Sequence, residues 1–87
     1  MSEYYVFGEA AEEQLRSMEH NAPDDALYAY SYLLGHVSLI LADEGDSKEE
    51  FKARMDEALD ASLAVDRLSE DDKTQILGLW QQVQKAA

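Results

Sequence analysis

The chain has 87 residues, 19 acidic and seven basic, for a net charge of −12. That length holds one domain, and a field of that sign disfavours nucleic-acid phosphates and anionic lipid headgroups as direct ligands. There is no cysteine, so disulfides and thiolate metal sites are excluded and packing must supply the stability.

The start, Met1-Ser2-Glu3-Tyr4, has neither the positive charge nor the apolar run of a secretory signal. The uncharged run over residues 26–42 holds three tyrosines, two serines, a glycine and a histidine, which argues against a membrane span. The expectation is a soluble, cytoplasmic protein with no membrane contact. Charge is uneven along the chain: residues 1–47 carry a net −9 and residues 48–87 a net −3. The first half is therefore the face expected to attract a basic partner, although a solvated, solubility-promoting surface has the same composition.

The first helical segment is predicted over 3–19. Tyr4, Phe7, Ala11, Leu15 and Met18 recur at three- and four-residue steps and share a face. Ser2 is placed to cap it, Glu12 and Arg16 form an acid-before-base pair, and Gly8 weakens it by up to ~1 kcal/mol relative to alanine. The second segment is predicted over 23–42. Pro23 suits a first helical turn, and Asp24 and Asp25 face the positive end of the helix dipole. Leu27, Tyr30, Leu34, Val37 and Leu41 form a stripe that Leu33 and Ile40 widen, so several neighbours should bury this helix. Gly45 reads as its stop.

The third segment, 47–65, opens on the capping box Ser47-Lys48-Glu49-Glu50, after which Phe51, Met55, Leu59 and Leu63 line one face. The fourth, 69–85, opens on Ser69-Glu70-Asp71-Asp72, a looser version of the same device, followed by Ile76, Leu77, Trp80 and Val83. No strand pattern or repeat is present. Four helices with short links predict an all-α, antiparallel up-down-up-down four-helix bundle in a single domain, 1–87. A three-helix core with a loosely docked N-terminal helix is the alternative.

Asp24-Asp25, Leu27, Tyr32-Leu33, Gly35-His36-Val37 and Leu39 resemble the central segment of the YfcL family of small gamma-proteobacterial proteins. Leu68-Ser69, Asp72 and Trp80 resemble its C-terminal segment at similar spacing. The resemblance spans most of the chain but is specific only in these two blocks. It implies a helical, intracellular, bacterial protein and brings no assigned catalytic or binding residues.

The residues themselves point to no catalytic group, cofactor or metal site. Neither His20 nor His36 sits in a Glu-x-x-His or His-x-x-x-His spacing, which removes the di-iron and two-histidine zinc signatures. No nucleophile elbow, phosphate loop or dinucleotide fingerprint occurs. His36 is read as a hydrogen-bonded buried polar site, and Gly35 as a close helix-crossing contact. Trp80 is read as core. Tyr28, Tyr30 and Tyr32 cannot all point one way on a helix, so at least one should reach the surface. With Asp24 and Asp25 they form the candidate surface for a partner. The bundle end holding Glu19, Asp24, Asp25, Asp66, Glu70, Asp71 and Asp72 could take a hard cation, yet carboxylates suit helix N-termini without any ligand. The sequence thus points to a non-enzymatic protein-interaction or regulatory module with a protein partner, a basic one favoured, whether the chain itself is a monomer or a homodimer. A small-ligand or divalent-cation-binding bundle is the alternative.

Overall fold

A computed structural model describes residues 2–87 and contains four α-helices. They are α1 (Glu3–Glu19), α2 (Leu27–Leu41), α3 (Lys48–Val65) and α4 (Glu70–Ala86). A short 3₁₀ turn, Asp24–Ala26, leads into α2. The start of α1 lies against the end of α2, where Tyr5 Oη donates to the Asp43 carbonyl at 3.1 Å. The middle of α2 meets the end of α3, and Trp80 of α4 reaches back to Asp56 of α3. Successive helices are therefore antiparallel, as in an up-down-up-down bundle. The smallest dimension is 19 Å, the thickness of two helix layers.

The first helix is no loose appendage. Tyr4, Ala11 and Leu15 are fully buried, and α1 and α2 share the broadest helix–helix interface. Both lie against α3 and α4, which approach one another least. Four aromatic rings join the layers edge-to-face. Phe51 meets Tyr4 and Phe7 with centroids at 5.1 and 5.6 Å, and Phe7 meets Trp80 at 6.4 Å. Such pairs contribute about 0.5–1.5 kcal/mol each beyond area burial. Phe51, Met55, Leu59 and Leu63 line the inner face of α3 as their spacing requires.

Helix starts follow their local chemistry. Ser47 Oγ accepts from the Glu50 amide at 3.2 Å, and Ser69 Oγ from the Asp72 amide at 3.1 Å. The reciprocal half of the first box is displaced by one residue, since Glu50 Oε1 accepts from the Asp46 amide. Glu12 and Arg16 pair at 3.8 Å. Ser2 makes no cap; its hydroxyl donates to the Gly45 carbonyl at 3.0 Å. Pro23 precedes the 3₁₀ turn rather than opening the α-helix, so regular α geometry begins at Leu27.

Four sequence expectations are overturned by packing. Gly35 is not a helix crossing: it is exposed, and a Cβ there would meet nothing within 4 Å. The tight approach is at Gly8, where a Cβ would collide with Leu41 and Phe51. Gly45 has no positive φ and is not a left-handed helix stop; the Tyr4 ring lies where its Cβ would be. The buried stripe of α2 is also rotated, to Ala29, Tyr30, Leu33, Val37 and Ile40. Leu27 is 38% exposed, and Leu34 and Leu41 are only half-buried. On α4, Leu77 faces out and Leu79 faces in. A segment apolar nearly all round fixes no direction for its own inner face; the neighbouring helices decide it.

The end of α2 is held by α1 and α3. Tyr4 Oη donates to the Ile40 carbonyl at 2.6 Å and accepts from Arg54 Nη1 at 3.0 Å. Arg54 also donates to the Glu44 carbonyl and lies near Asp43 and Glu50. A cation here complements the negative end of the α2 dipole. Among the described residues, no helix is long and apolar enough to cross a membrane.

Candidate functional site: the outer face of α2

At 100° per residue, Tyr28, Ser31, Tyr32, Gly35, Ser38 and Leu39 lie on the side of α2 opposite the core stripe. Ser31, Gly35 and Ser38 are exposed, Tyr28 is 50% exposed, Leu39 is 68% exposed, and Tyr32 is half-buried. None carries a charge. Tyr28 and Leu39 are eleven residues apart, about 16 Å along the axis.

The three candidate tyrosines separate. Tyr30 is buried at 8% exposure and belongs to the core, so it cannot anchor a partner. Tyr28 is open to solvent. Tyr32 lies between them in character. Its ring is 6.0 Å from Tyr28 at a 51° tilt and stacks on His36 at 4.7 Å and 21°. Its hydroxyl donates to Asp66 Oδ2 at 2.7 Å. Desolvation first, and then the bond to Asp66, raise the Tyr32 phenol above its ordinary pKa. Asp24 and Asp25 sit exposed in the 3₁₀ turn, one helical turn before Tyr28.

His36 is half-buried and polar on both nitrogens. Nδ1 lies 3.0 Å from the Tyr32 carbonyl, which can only accept, so Nδ1 carries a proton. Nε2 of the neutral ring then accepts from the Ser62 hydroxyl at 3.0 Å. The histidine thereby ties α2 to α3. A serine paired with an oriented histidine has the first two parts of a nucleophilic site. Ser62, however, lies inside α3, where neighbouring amides are used in the helix ladder, for example Asp66 N–H to the Ser62 carbonyl at 2.8 Å.

The uncharged strip is bounded by carboxylates. On the α1 side, Ser38 Oγ donates to Glu12 Oε2 at 3.2 Å. On the α3 side stands Asp66. Ser31, Gly35, Ser38 and Leu39 of this surface were not assigned to it from the sequence, nor were Glu12 and Asp66, whose sides depend on how α1 and α3 dock.

The acidic turns do not converge on a cation: among the described residues, no three histidine or acidic side chains are grouped to hold a metal ion. Two open grooves flank α4. One, of about 540 Å³, runs between α3 and α4 and is lined by Lys52, Asp56, Trp80 and Lys85 among others. The other, of about 330 Å³, lies between α2 and α4 around Ala29 and Gly78. Neither borders His36. Trp80 is a core residue at 2% exposure, with its indole N–H directed to Asp56 Oδ1 at 3.3 Å.

A model of the YfcL protein family matches residues 5–85, nearly the whole chain. The chain belongs to the YfcL family. No curated protein and no solved structure matches it. The family match reaches into all four helices, and the outer face of α2 and both of its flanks lie within the matched region.

Proposed function

We propose that this YfcL-family chain is a non-enzymatic protein-interaction module that docks a basic-rimmed partner segment on the outer face of α2. The observation that carries this reading is an exposed helix face without a charged or amide side chain, on a chain in which 30% of residues are charged. The outer face of α4, by contrast, carries Asp71 and Lys85 beside Gln81 and Gln82. On α2 only hydroxyls, a glycine and apolar groups meet water. Gly35 adds weight: an interior helix glycine costs about 1 kcal/mol relative to alanine, and no neighbour within the bundle requires it. A partner backbone approaching over Gly35 would.

Tyr28 and Leu39 serve as anchors at the two ends of the strip, with Glu12, Asp24, Asp25 and Asp66 as the rim. Apolar anchors inside a charged rim are the usual anatomy of a protein interface. The net charge of −12 selects a basic partner and speeds its approach. A reducing, cytoplasmic setting suits a fold that uses no disulfide. The test is capture by the purified chain at low and moderate salt, beside Tyr28→Ala and Leu39→Ala. Both variants should keep stability within about 0.5 kcal/mol and lose the captured protein. Undiminished capture by both would remove this face as the docking site.

A further inference from the structure

The C-termini of the four helices are not treated alike. Arg16 stands in the last turn of α1 and Lys85 in that of α4. Arg54 covers the end of α2. The last turn of α3 has no basic residue, and the helix ends on Asp66. A carboxylate at the negative end of a helix dipole is unfavourable where a cation would be stabilising. Arg67 follows it, yet among the described residues no ion pair joins the two. This unneutralised end faces the Tyr28–Tyr32 pair through the 2.7 Å bond from Tyr32 to Asp66 Oδ2. One carboxylate oxygen already accepts from Tyr32, and among the described residues Oδ1 accepts no hydrogen bond. Tyr28, 50% exposed, lies 6.0 Å from the Tyr32 ring that bonds this carboxylate, and Val65, 77% exposed, precedes Asp66 in the chain.

We infer that Tyr28 and Asp66 form a binding site for an arginine side chain of the partner, its guanidinium lying over the Tyr28 ring and bonded to Asp66. Aromatic face, carboxylate and helix C-terminus each favour a cation. A planar guanidinium satisfies the first two together, by stacking and by directed N–H bonds, whereas an ammonium is a strongly hydrated point charge. Tyr32 positions the site. Stacked on His36 and bonded to Asp66, it holds the carboxylate beside the aromatic face. This inference rests on the docking reading of α2 and names the chemistry of one of its contacts.

The test is an NMR titration of the full chain with L-argininamide and, separately, L-lysinamide at constant ionic strength. Argininamide should give saturable shifts centred on Tyr28, Tyr32, Val65 and Asp66, with weaker binding of lysinamide. Tyr28→Ala should weaken argininamide by roughly 2- to 5-fold, the worth of an exposed cation–π contact. Asp66→Asn should also weaken it, and so should Tyr32→Phe, which keeps the ring but no longer holds the carboxylate in place. Equal, diffuse responses to the two cations, or argininamide binding indifferent to both Tyr28→Ala and Asp66→Asn, would overturn the site. Those outcomes concern this contact alone. Docking along α2 is read separately, by contacts at Leu39.

Discussion

Replacing Gly8 and Gly35 with alanine should move stability in opposite directions. Both lie inside helices, so alanine gains about 0.8–1 kcal/mol of helix propensity at each. At Gly35 nothing opposes that gain, because the added methyl enters open space. For a domain of this size 1 kcal/mol is about 4–8 °C in Tm, so Gly35→Ala should melt several degrees higher. At Gly8 the methyl meets Leu41 and Phe51. Leu41 is half-buried and can turn aside. Phe51 cannot: it is fully buried and wedged edge-to-face between Tyr4 and Phe7. Against a ring that cannot move, overpacking falls in the upper part of its ~1–3 kcal/mol range, about 2–3 kcal/mol, which outweighs the propensity gain and leaves a net loss of about 1–2 kcal/mol. Thermal and urea unfolding of the two variants beside the parent measures both effects. A Gly8→Ala chain as stable as the parent would refute the close α1–α3 packing at Gly8, and a Gly35→Ala chain that melts lower would show that Gly35 is enclosed.

Further expectations follow from the core, the caps and the phenol. Phe51→Ala should cost about 3–5 kcal/mol, since it empties the junction of α1 and α3, and chemical denaturation would measure it. Ser47→Ala and Ser69→Ala should each cost about 1 kcal/mol, and their double variant should show the sum because the two caps share no partner. The Tyr32 phenol is raised in the fold, so the folded chain keeps a proton that the unfolded chain releases above pH ~10. Its contribution is therefore full below that pH and is lost as pH rises through the alkaline range. Absorbance titration should show a late phenol component that moves earlier in Asp66→Asn, and Tyr32→Phe should weaken the alkaline loss of stability.

Much of the architecture could be read in the sequence because it is written locally. Ser47 and Ser69 mark helix starts through bonds to amides three residues on, and the four-residue spacing of Phe51, Met55, Leu59 and Leu63 defines one face. The rotation of α2 could not be read in this way. Leu27, Leu34 and Leu41 are as apolar as Leu33, Val37 and Ile40, and only the positions of α1, α3 and α4 decide which set is covered. Gly35 illustrates the same limit. A helical glycine signals close approach, but the sequence does not say whether the approaching group lies inside the bundle, as at Gly8, or outside it. Likewise, the spacing of Tyr28, Tyr30 and Tyr32 required that one reach the surface, and the fold selected Tyr28. Asp66 was visible as a charge, but its link to Tyr32 arises from two helices meeting 34 residues apart in sequence.

The central claim is that α2 docks a partner through its outer face. Site-specific photo-crosslinking in the native cell tests it most directly, with the photoreactive residue placed at Leu39 and, as a control, at exposed Glu57 on α3. A discrete adduct at position 39, absent at position 57 and diminished by Tyr28→Ala elsewhere on the same face, is the predicted result. Equal adducts at both positions, or an adduct at 57 alone, would contradict it.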